Sequence, residues 1–256
     1  MSLCAEQIAA VKGRGFLRNR GTECFSGRVV TVAGLFTPNQ LHTIAECAET
    51  FGSGEVIFTA RLAAEIPGIP FEQIPAAEAF MAERGLYFGG TGAKVRPITA
   101  CKGTTCVYGN IDTRAMAKTL FDRFYIGMRD VKLPHKFKIG VGGCPNSCMK
   151  PSLNDVGIEG CRVPHATEPM CRVFVGGTWG KTRRMGTLLS SVYPVREASD
   201  VVEQVMLWYR ENAFVKERLG AAIDRLGIDA LENALASGDL LRRKDEILAA
   251  PLKEKV

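Results

Sequence analysis

The apolar positions in the first part of the chain follow two different periods. Residues 29–36 (VVTVAGLF) form a short continuous apolar run, which predicts a strand. From Thr37 to Gly52 the apolar side chains recur every three or four positions, which predicts a helix that Thr37 caps and Gly52 ends. EVIFTAR then predicts a second strand, IPGIPFEQI a turn, and FMAERGLYFGG the end of a second helix. Together these segments predict a strand–helix–strand–helix unit over roughly residues 14–88, a small α+β layer.

The rest of the chain mixes short apolar runs with longer amphipathic segments. IDTRAMAKTLFDRFYIG predicts a helix with Asp112 as its cap, and KFKIGVGG predicts a strand that ends at a glycine pair. DVGIEGCRV and MCRVFVGG predict further strands, GTWGKTRR predicts a loop, and the chain from Ser199 onward predicts helices. The apolar faces of these helices are expected at Met116, Leu120, Phe121, Phe124, Val201, Val205 and Trp208. The pattern favours an α+β fold with two domains, residues 1–90 and residues 91–256.

The composition is that of a globular protein, because 46% of the 256 residues are hydrophobic and 23% are charged. Charged residues or glycines interrupt every apolar run well short of the ~18 residues that a membrane-spanning helix needs, so we expect no membrane span. The N-terminal MSLCAEQIAAVKGRGF lacks the basic-then-apolar layout of a signal peptide, which favours a cytoplasmic location.

The net charge of +6 suits an acidic ligand or an acidic protein partner. Arginine-rich runs interleaved with aromatic residues are absent from the sequence, so we expect no nucleic-acid partner.

Two close pairs among the nine cysteines suggest a metal centre. Cys101 and Cys106 enclose four residues, Cys144 and Cys148 enclose three, and each pair lies in a glycine-bearing loop after a predicted strand. Zinc ribbons favour a spacing of two residues, so these spacings fit structural zinc poorly. An iron–sulfur cluster tolerates such irregular loops better, whereas unrelated buried thiols are the simplest alternative.

The other five cysteines receive no ligand role. One of them lies on the apolar face of the first predicted helix, and two others can meet across a hairpin. In chain order the five are Cys4, Cys24, Cys47, Cys161 and Cys171.

The motif GGCPNSC, with LPHKFK before it and RPITACKGTTC further upstream, resembles the siroheme- and iron–sulfur-containing sulfite and nitrite reductases. GLFTPNQLHTIAECAETFGSGEVIFTARLAAEIPGI resembles the ferredoxin-like half-domain of the same family, and the resemblance spans roughly residues 14–160. It implies an α+β fold: a ferredoxin-like (parachute-type) N-terminal half-domain, then an α/β domain for siroheme and a 4Fe–4S cluster with a helical C-terminus. It also implies a small, single-repeat form of the family.

The resemblance carries over a cluster ligand set residue by residue. In the family four cysteines hold a 4Fe–4S cluster, and one thiolate also binds the siroheme iron. The matching residues are Cys101, Cys106, Cys144 and Cys148, and Cys148 is the candidate bridge.

The resemblance also implies residues for the substrate and for siroheme, whose eight carboxylates call for cations. Lys136 and Lys138 match lysines that face the substrate, and their spacing on a strand aims both to one side. Arg96 matches an arginine that contacts substrate, and it lies on the cofactor side together with Lys136. Arg61 and Thr59, from the Thr-x-Arg segment, match siroheme-binding positions. Position alone gives simpler alternatives. Lys136 and Lys138 would by default form a polar strand face, and Arg61 could be a solvated charge.

His135, next to these lysines, can serve as a proton donor, but a lone histidine beside a strand is more often structural.

Four departures from the family pattern matter. The first cysteine pair is one residue narrower than usual, and Val30 stands where the family has an arginine, which leaves Arg28 or Arg20 as substitutes. The chain has one copy of a unit that long members carry twice, so a homodimer can recreate the two-copy arrangement. A ferredoxin insert is also missing from the sequence, so an external donor such as an acidic ferredoxin is expected.

The leading hypothesis is a six-electron reduction of sulfite to sulfide, or of nitrite to ammonia. Both lysines of Lys-Phe-Lys are present, which favours sulfite. The alternative is an electron-transfer or scaffold protein of the same fold that keeps the cluster and has lost siroheme. A third hypothesis, a zinc-stapled structural protein, requires the family resemblance to be coincidental.

Overall fold

The chain folds into two compact units, one that ends at Gly92 and one that begins at Ala93. The computed structural model describes residues 3–255. The sequence pattern places the boundary between residues 90 and 91.

The first unit is a four-stranded antiparallel sheet with helices. Its strands stand in the order β1-β2-β4-β3. Its elements are α1 (Ala5–Lys12), β1 (Phe16–Arg18), β2 (Cys24–Val29), α2 (Pro38–Phe51), β3 (Ile57–Phe58), β4 (Ala64–Pro70) and α3 (Ile74–Glu83). Buried side chains of the sheet pack against those of the helices, and Phe16, Phe25 and Ile69 are fully enclosed.

Helix α2 begins and ends where the sequence predicts. The Thr37 side chain accepts a hydrogen bond from the Gln40 amide, and the Gln40 side chain accepts one from the Thr37 amide, at 3.2 and 2.9 Å. This reciprocal pair satisfies two amides that the first turn leaves without helical partners. Gly52 ends the helix, so the predicted cap residues are confirmed.

Two strand predictions in this unit are wrong. The strand expected at residues 29–36 lies upstream, as β2, and a short 3₁₀ turn at Val32–Gly34 follows it. The segment expected as a turn contains β4, although it carries Pro67 and Pro70. The pairing with β2 shifts register at Pro67–Gly68, so the proline that cannot donate a ladder hydrogen bond sits in an irregularity.

The second unit contains a five-stranded mixed sheet and most of the helices. Strand order follows the chain, β5-β6-β7-β8-β9; the pairs β5–β6 and β6–β7 are parallel, and the other two pairs are antiparallel. The elements are β5 (Thr99–Ala100), α4 (Thr113–Leu120), β6 (Ile139–Gly142), β7 (Val156–Cys161), β8 (Met170–Val175), β9 (Thr187–Pro194), α5 (Ala198–Asn212), α6 (Leu219–Leu226), α7 (Ile228–Ser237), α8 (Asp239–Arg242) and α9 (Lys244–Ala249).

The helix predicted over residues 111–127 has two parts. Helix α4 begins after Asp112, whose carboxylate accepts hydrogen bonds from the amides of Arg114 and Ala115, as predicted. At Phe121 the chain changes to a π-helical turn that continues to Ile126. Met116, Leu120 and Phe124 are buried, whereas Phe121 is half-buried and stacks on Tyr125.

Helix α5 is the most deeply buried helix of the second unit. The face predicted from Val201, Val205 and Trp208 is confirmed, since all three are buried. The helical pattern that follows α5 is broken at Gly227, which has a φ of 88° and separates α6 from α7. Across residues 3–255, every helix is too short or too polar to cross a membrane.

Candidate functional site

The two cysteine loops begin at the same edge of the mixed sheet. Cys101 follows β5 directly, and Cys144 comes two residues after the end of β6. These strands are parallel neighbours, with Ala100 opposite Val141, and the Cys101 amide donates to the Val141 carbonyl at 3.1 Å. Because parallel strands end on the same side, both loops emerge together.

The loops are in direct contact through two glycines. A side chain on Gly143 would meet the Cα of Gly103 at 3.1 Å, and a side chain on Gly103 would meet the Cα of Gly143 at the same distance. The Gly143 amide also donates a hydrogen bond to the Cys101 sulfur at 3.2 Å. Hydrogen bonds to the sulfurs are a recurrent feature of iron–sulfur sites.

The first loop is fastened to the start of α4. The Thr113 hydroxyl donates to the Cys101 carbonyl at 2.7 Å, and the Thr104 hydroxyl donates to the Asp112 carboxylate at 2.6 Å. The pKa of Asp112 is lowered, most by the hydrogen bond from the Ala115 amide and next by the one from the Thr104 hydroxyl. The helix cap therefore also anchors the loop between Cys101 and Cys106.

The second loop turns back on itself. The Ser147 amide donates to the Cys144 carbonyl at 3.1 Å, and Ser147 adopts a left-handed backbone conformation with a φ of 53°. Cys148 follows this turn and is exposed, whereas Cys101, Cys106 and Cys144 are partly buried, and all four are free thiols.

The donor chemistry of these loops fits a cluster better than a single ion. Within residues 3–255 the structure contains no group of three or more histidines, cysteines or acidic residues arranged to hold one metal ion. A mononuclear zinc site needs its sulfurs ~2.3 Å from one centre. In a 4Fe–4S cluster each cysteine binds a different iron, so the ligands stand further apart. Four free thiols on two touching loops supply the number of thiolates that such a cluster takes.

The predicted substrate lysines lie at the other end of β6. Phe137 is fully buried, and Lys136 and Lys138 on either side of it are partly exposed. The alternation places both lysines on the side opposite Phe137. The segment is not part of the strand as predicted, because β6 begins at Ile139; Phe137 makes only an isolated parallel bridge to Val95.

Arg96 is next to these lysines. Its amide donates to the Phe137 carbonyl at 2.8 Å, and the Phe137 amide donates to the Lys94 carbonyl at 3.0 Å. The structure therefore brings Arg96, Lys136 and Lys138 together.

Sequence reasoning missed two charged residues beneath the lysines. Asp155, just before β7, is fully buried and accepts a hydrogen bond from the Lys138 amide at 2.8 Å. Arg218, just before α6, donates to both oxygens of Asp155 at 2.8 Å. Burial raises the pKa of Asp155, and the charge and hydrogen bonds of Arg218 oppose that rise.

The group carries excess positive charge. Burial lowers the pKa of Lys136, and the charges of Arg218 and Arg96 lower it further, against the opposing effect of Asp155. The negative charge of Asp155 therefore raises the pKa of Lys136, whereas two neighbouring arginines lower it. A polyanion or an oxyanion would relieve this repulsion, so the residues fit an anionic ligand.

His135 lies directly before Lys136. Its Nδ1 accepts a hydrogen bond from the Lys136 amide at 2.7 Å. Burial lowers the pKa of His135, and the charges of Arg218, Lys136 and Arg96 add to the effect.

The remaining predicted residues belong to the first unit. Thr59 and Arg61 lie in the turn between β3 and β4, so the prediction that they belong to an extended strand is wrong. The Thr59 hydroxyl accepts from the amides of Arg61 and Ala63, both at 3.3 Å, which stabilises this tight turn. The sequence around Thr59 therefore shapes a turn that presents Arg61.

Arg28, the substitute for the missing family arginine, is already engaged. Its Nε donates to Glu65 at 2.7 Å, and its Nη1 donates to the Gly90 carbonyl at 2.9 Å. Val30, at the position where the family has an arginine, is buried.

A groove of about 570 Å³ opens beside the second cysteine loop. Cys144 and Cys161 line it together with Arg162 and Arg172, and Tyr108 at its edge is exposed. Cys161 and Cys171 do not meet across the hairpin, since Cys161 is opposite Met170 and Cys171 is opposite Gly160, which puts them on opposite faces.

The fold and the paired cysteine loops define a protein of the iron–sulfur class. Two family models match the chain: "Nitrite/Sulfite reductase ferredoxin-like half domain" at residues 18–84 and "Nitrite and sulphite reductase 4Fe-4S domain" at residues 91–240. The chain belongs to the nitrite and sulfite reductase family, which is a family of oxidoreductases. The predicted family and fold class are thereby confirmed.

Similar proteins differ greatly in length. The assimilatory-type sulfite reductase of Nitratidesulfovibrio vulgaris is 27% identical, with 80% of this chain and 89% of that protein aligned. The coenzyme F420-dependent sulfite reductase of Methanocaldococcus jannaschii is 32% identical over 54% of this chain, which spans only 22% of that longer protein. The chain spans 48% or less of the next three curated relatives as well.

A solved structure shows the same fold. The NirA protein of Mycobacterium tuberculosis superposes with a TM-score of 0.77, covering 96% of this chain and 47% of NirA, at 19% identity.

Proposed function

We propose that this chain reduces sulfite to sulfide, or nitrite to ammonia, by six electrons, using siroheme and a 4Fe–4S cluster. One observation carries the proposal: four cations lie close together beside the buried carboxylate of Asp155, namely Arg96, Lys136, Lys138 and Arg218. This cationic group stands at one end of β6, and the paired cysteine loops stand at the other. An anion-reducing enzyme needs both features, whereas a plain electron carrier needs only the second.

The lysines and Arg96 have the task of binding the substrate. Siroheme, when bound, would supply the iron centre and the electrons for the reduction. Lys136 and Lys138 neutralise the charge of the bound oxyanion and hold protons at their Nζ atoms for the oxygens that leave as water. Since burial and neighbouring cations lower the pKa of Lys136, it gives up a proton more readily than an ordinary lysine.

The residues assigned to the cluster belong to the second unit. Cys101, Cys106, Cys144 and Cys148 are assigned to the cluster, and Cys148 is assigned as the shared ligand of the siroheme iron. Its exposure supports this role, because a bridging thiolate must reach beyond the cluster loop.

Cations are assigned to the siroheme carboxylates. Arg61, Arg96 and Lys136 provide the charges, and Thr59 shapes the turn that presents Arg61. Arg28 is already paired with Glu65, so we assign it the weakest catalytic part.

We assign electron delivery to a separate donor protein. The groove beside Cys144 presents Arg162 and Arg172 around an exposed apolar edge that includes Tyr108. An acidic ferredoxin-type donor complements this surface in charge and would dock close to a cluster ligand. A homodimer would supply a second copy of the unit.

Optical spectra test the proposal directly. Anaerobically purified protein should show a Soret-type band and a red siroheme band, together with turnover of sulfite or nitrite with a reduced viologen dye. A broad iron–sulfur shoulder without siroheme bands would overturn the proposal. Comparing kcat/KM for sulfite and nitrite then decides the substrate, and the retention of both lysines favours sulfite.

A second candidate is a cluster-bearing electron-transfer or scaffold protein without siroheme. Specific observations favour it: Val30 is buried where the family has an arginine, and Arg28 is paired with Glu65. This candidate predicts a cluster spectrum, no siroheme on acid–acetone extraction, and no turnover.

A further inference from the structure

We propose that Asp155 and Arg218 form a positioning pair that fixes where the two lysines point. The inference rests on the proposed function, in which those lysines contact the substrate. Neither residue belongs to the motifs that carry the family resemblance.

Residues 134–138, which carry Lys136 and Lys138, are called the lysine segment. Asp155 connects this segment to the C-terminal part of the unit. One oxygen, Oδ2, accepts from the Lys138 amide at 2.8 Å and from Arg218 at 2.8 Å, and the other accepts from Arg218 at 2.8 Å. The carboxylate is fully buried, so water does not compete for these hydrogen bonds. Charge-assisted hydrogen bonds of this kind are shorter and stronger than neutral ones.

The segment that carries Arg218, residues 214–218, is called the clamp segment. The Lys216 amide donates to the Pro134 carbonyl at 2.9 Å, and the Tyr209 hydroxyl donates to the Glu217 carbonyl at 2.6 Å. The Tyr209 ring stacks on Phe137, with the ring centres 5.9 Å apart. The clamp segment therefore contacts the lysine segment at two places. Lys216 binds Pro134 directly, and Arg218 is connected to Lys138 through Asp155.

The remaining backbone groups of the lysine segment are also held. The Phe137 amide and carbonyl are bonded to Lys94 and Arg96, and the Lys138 carbonyl accepts from Val156 at 3.0 Å. Two amides of this stretch are held by side chains: the Lys136 amide by its neighbour His135, and the Lys138 amide by the carboxylate of Asp155, which is distant in sequence. Its loss would free the backbone of one lysine while β6 stays intact, and a small misplacement of a catalytic group is costly.

The pair also keeps the local charge asymmetric. Arg218 contacts both oxygens of Asp155, so its positive charge is balanced within the protein. A neutral residue at position 155 would turn Arg218 into another cation facing the same anion. Affinity for sulfite would then rise or stay constant while turnover falls.

The test uses Asp155→Asn, which keeps an oxygen acceptor but removes the charge. Amide hydrogen exchange of residues 134–140 in the purified protein should speed up by about tenfold or more at Lys138, because a charge-assisted hydrogen bond is weakened. With a reduced viologen dye as donor, kcat should fall by roughly 10- to 100-fold with no rise in KM. Glu159→Gln is the matched control, since Glu159 is also buried and paired with one arginine, Arg172, at 2.6 Å.

A double-mutant cycle separates positioning from general destabilisation. If Asp155 acts through the Lys138 side chain, Asp155→Asn should add almost nothing to the kcat loss of Lys138→Ala. Two results would overturn the proposal. One is a double variant whose loss of kcat is the product of the two single losses, and the other is an Asp155→Asn variant with unchanged amide hydrogen exchange at Lys138. If Asp155→Asn fails to fold, Arg218→Gln tests the same pair from its partly exposed end with the same expected exchange and kcat.

Failure of the proposed function would be seen separately. A wild-type protein without siroheme or turnover contradicts the reductase activity, and the exchange measurement still decides whether Asp155 holds Lys138.

Discussion

The amide of Gly143 donates a hydrogen bond to the sulfur of Cys101 across 3.2 Å, so each cysteine loop touches the other before any cofactor is considered. The contact depends on the absence of side chains, since a Cβ on Gly143 would stand 3.4 Å from that sulfur and 3.1 Å from the Gly103 Cα. Cluster binding and loop packing are therefore linked.

Gly143→Ala should weaken both properties. The added methyl group would push the loops apart, and overpacking of this kind costs about 1–3 kcal/mol of unfolding free energy. Iron and acid-labile sulfide per chain should fall together with the free energy of unfolding. Gly180→Ala is the control, because a Cβ there meets nothing within 4 Å. Equal iron content in the two variants would show that the loop contact does not matter for the cluster.

Serine at Cys101, Cys106 or Cys144 should lower the iron bound per chain, because an alkoxide replaces a thiolate poorly as a ligand of iron–sulfur clusters. Cys4→Ser is the control, since Cys4 is exposed at the start of α1 and serine is a favoured residue there. Iron analysis and electron paramagnetic resonance of the reduced protein give the readout.

Cys148→Ser should change the siroheme spectrum as well as the cluster signal, because we assign Cys148 to both centres. An unchanged siroheme spectrum would assign the bridge to a different residue.

Lys138→Ala should retain both cofactors and lower kcat by roughly 10²–10³-fold, the usual loss when one charge-stabilising donor is removed. Lys132→Ala is the control. This lysine is exposed and lies upstream of the lysine segment, so the variant should leave kcat unchanged. Steady-state kinetics and the optical spectrum are measured together. Loss of the siroheme bands in Lys138→Ala would mean that this lysine holds the cofactor.

Stability should depend on pH through His135. Burial, Arg218, Lys136 and Arg96 lower its pKa in the folded state, so the unfolded chain binds more protons as the pH falls below ~6.5. The stabilising contribution is complete above that pH and is lost as the pH falls through the folded-state pKa.

Urea unfolding at pH 7.5 and at pH 5.5 checks this contribution. His135→Asn keeps an acceptor for the Lys136 amide and should reduce the difference in unfolding free energy between the two conditions. His42→Asn, at an exposed histidine on α2, should preserve the wild-type difference.

Glu203 should matter more for stability than Asp200, although both contact Arg123. Glu203 is almost fully buried and also pairs with Lys244 at 2.7 Å, so Glu203→Gln removes a buried carboxylate that two partly exposed cations share. We expect a loss of about 1–3 kcal/mol on unfolding. Asp200→Asn, at a half-exposed carboxylate, should cost only ~0–1 kcal/mol. Similar losses in chemical denaturation would contradict this difference.

Sequence reasoning succeeded where the signal is local. The caps of α2 and α4 lie within a few residues of the groups that they satisfy, so Thr37 and Asp112 are readable from sequence. Strand β4 was missed because its prolines are tolerated only through a register shift with β2, which depends on the partner strand. Strand β9 was missed because only Leu189 is buried along it, which leaves no alternation to detect.

The candidate site divides in the same way. The cysteines and lysines are adjacent in motifs, so their roles could be proposed from sequence. Asp155 and Arg218 are 63 positions apart, and a lone aspartate before a strand carries no signal of its partner. Only the folded chain shows that they meet beneath Lys138.

Strand β6 is four residues long, is buried along its whole length, and is paired on both sides. The strand therefore fixes both the distance between the lysines and the cysteine loop and the direction in which the side chains at each end point. One inserted residue would shift the cysteine end by ~3.3 Å relative to the lysine end and would turn the following side chains to the opposite face. The lysines and the cysteine loop can thus be transplanted into another protein only as one block, with this strand at its original length between them.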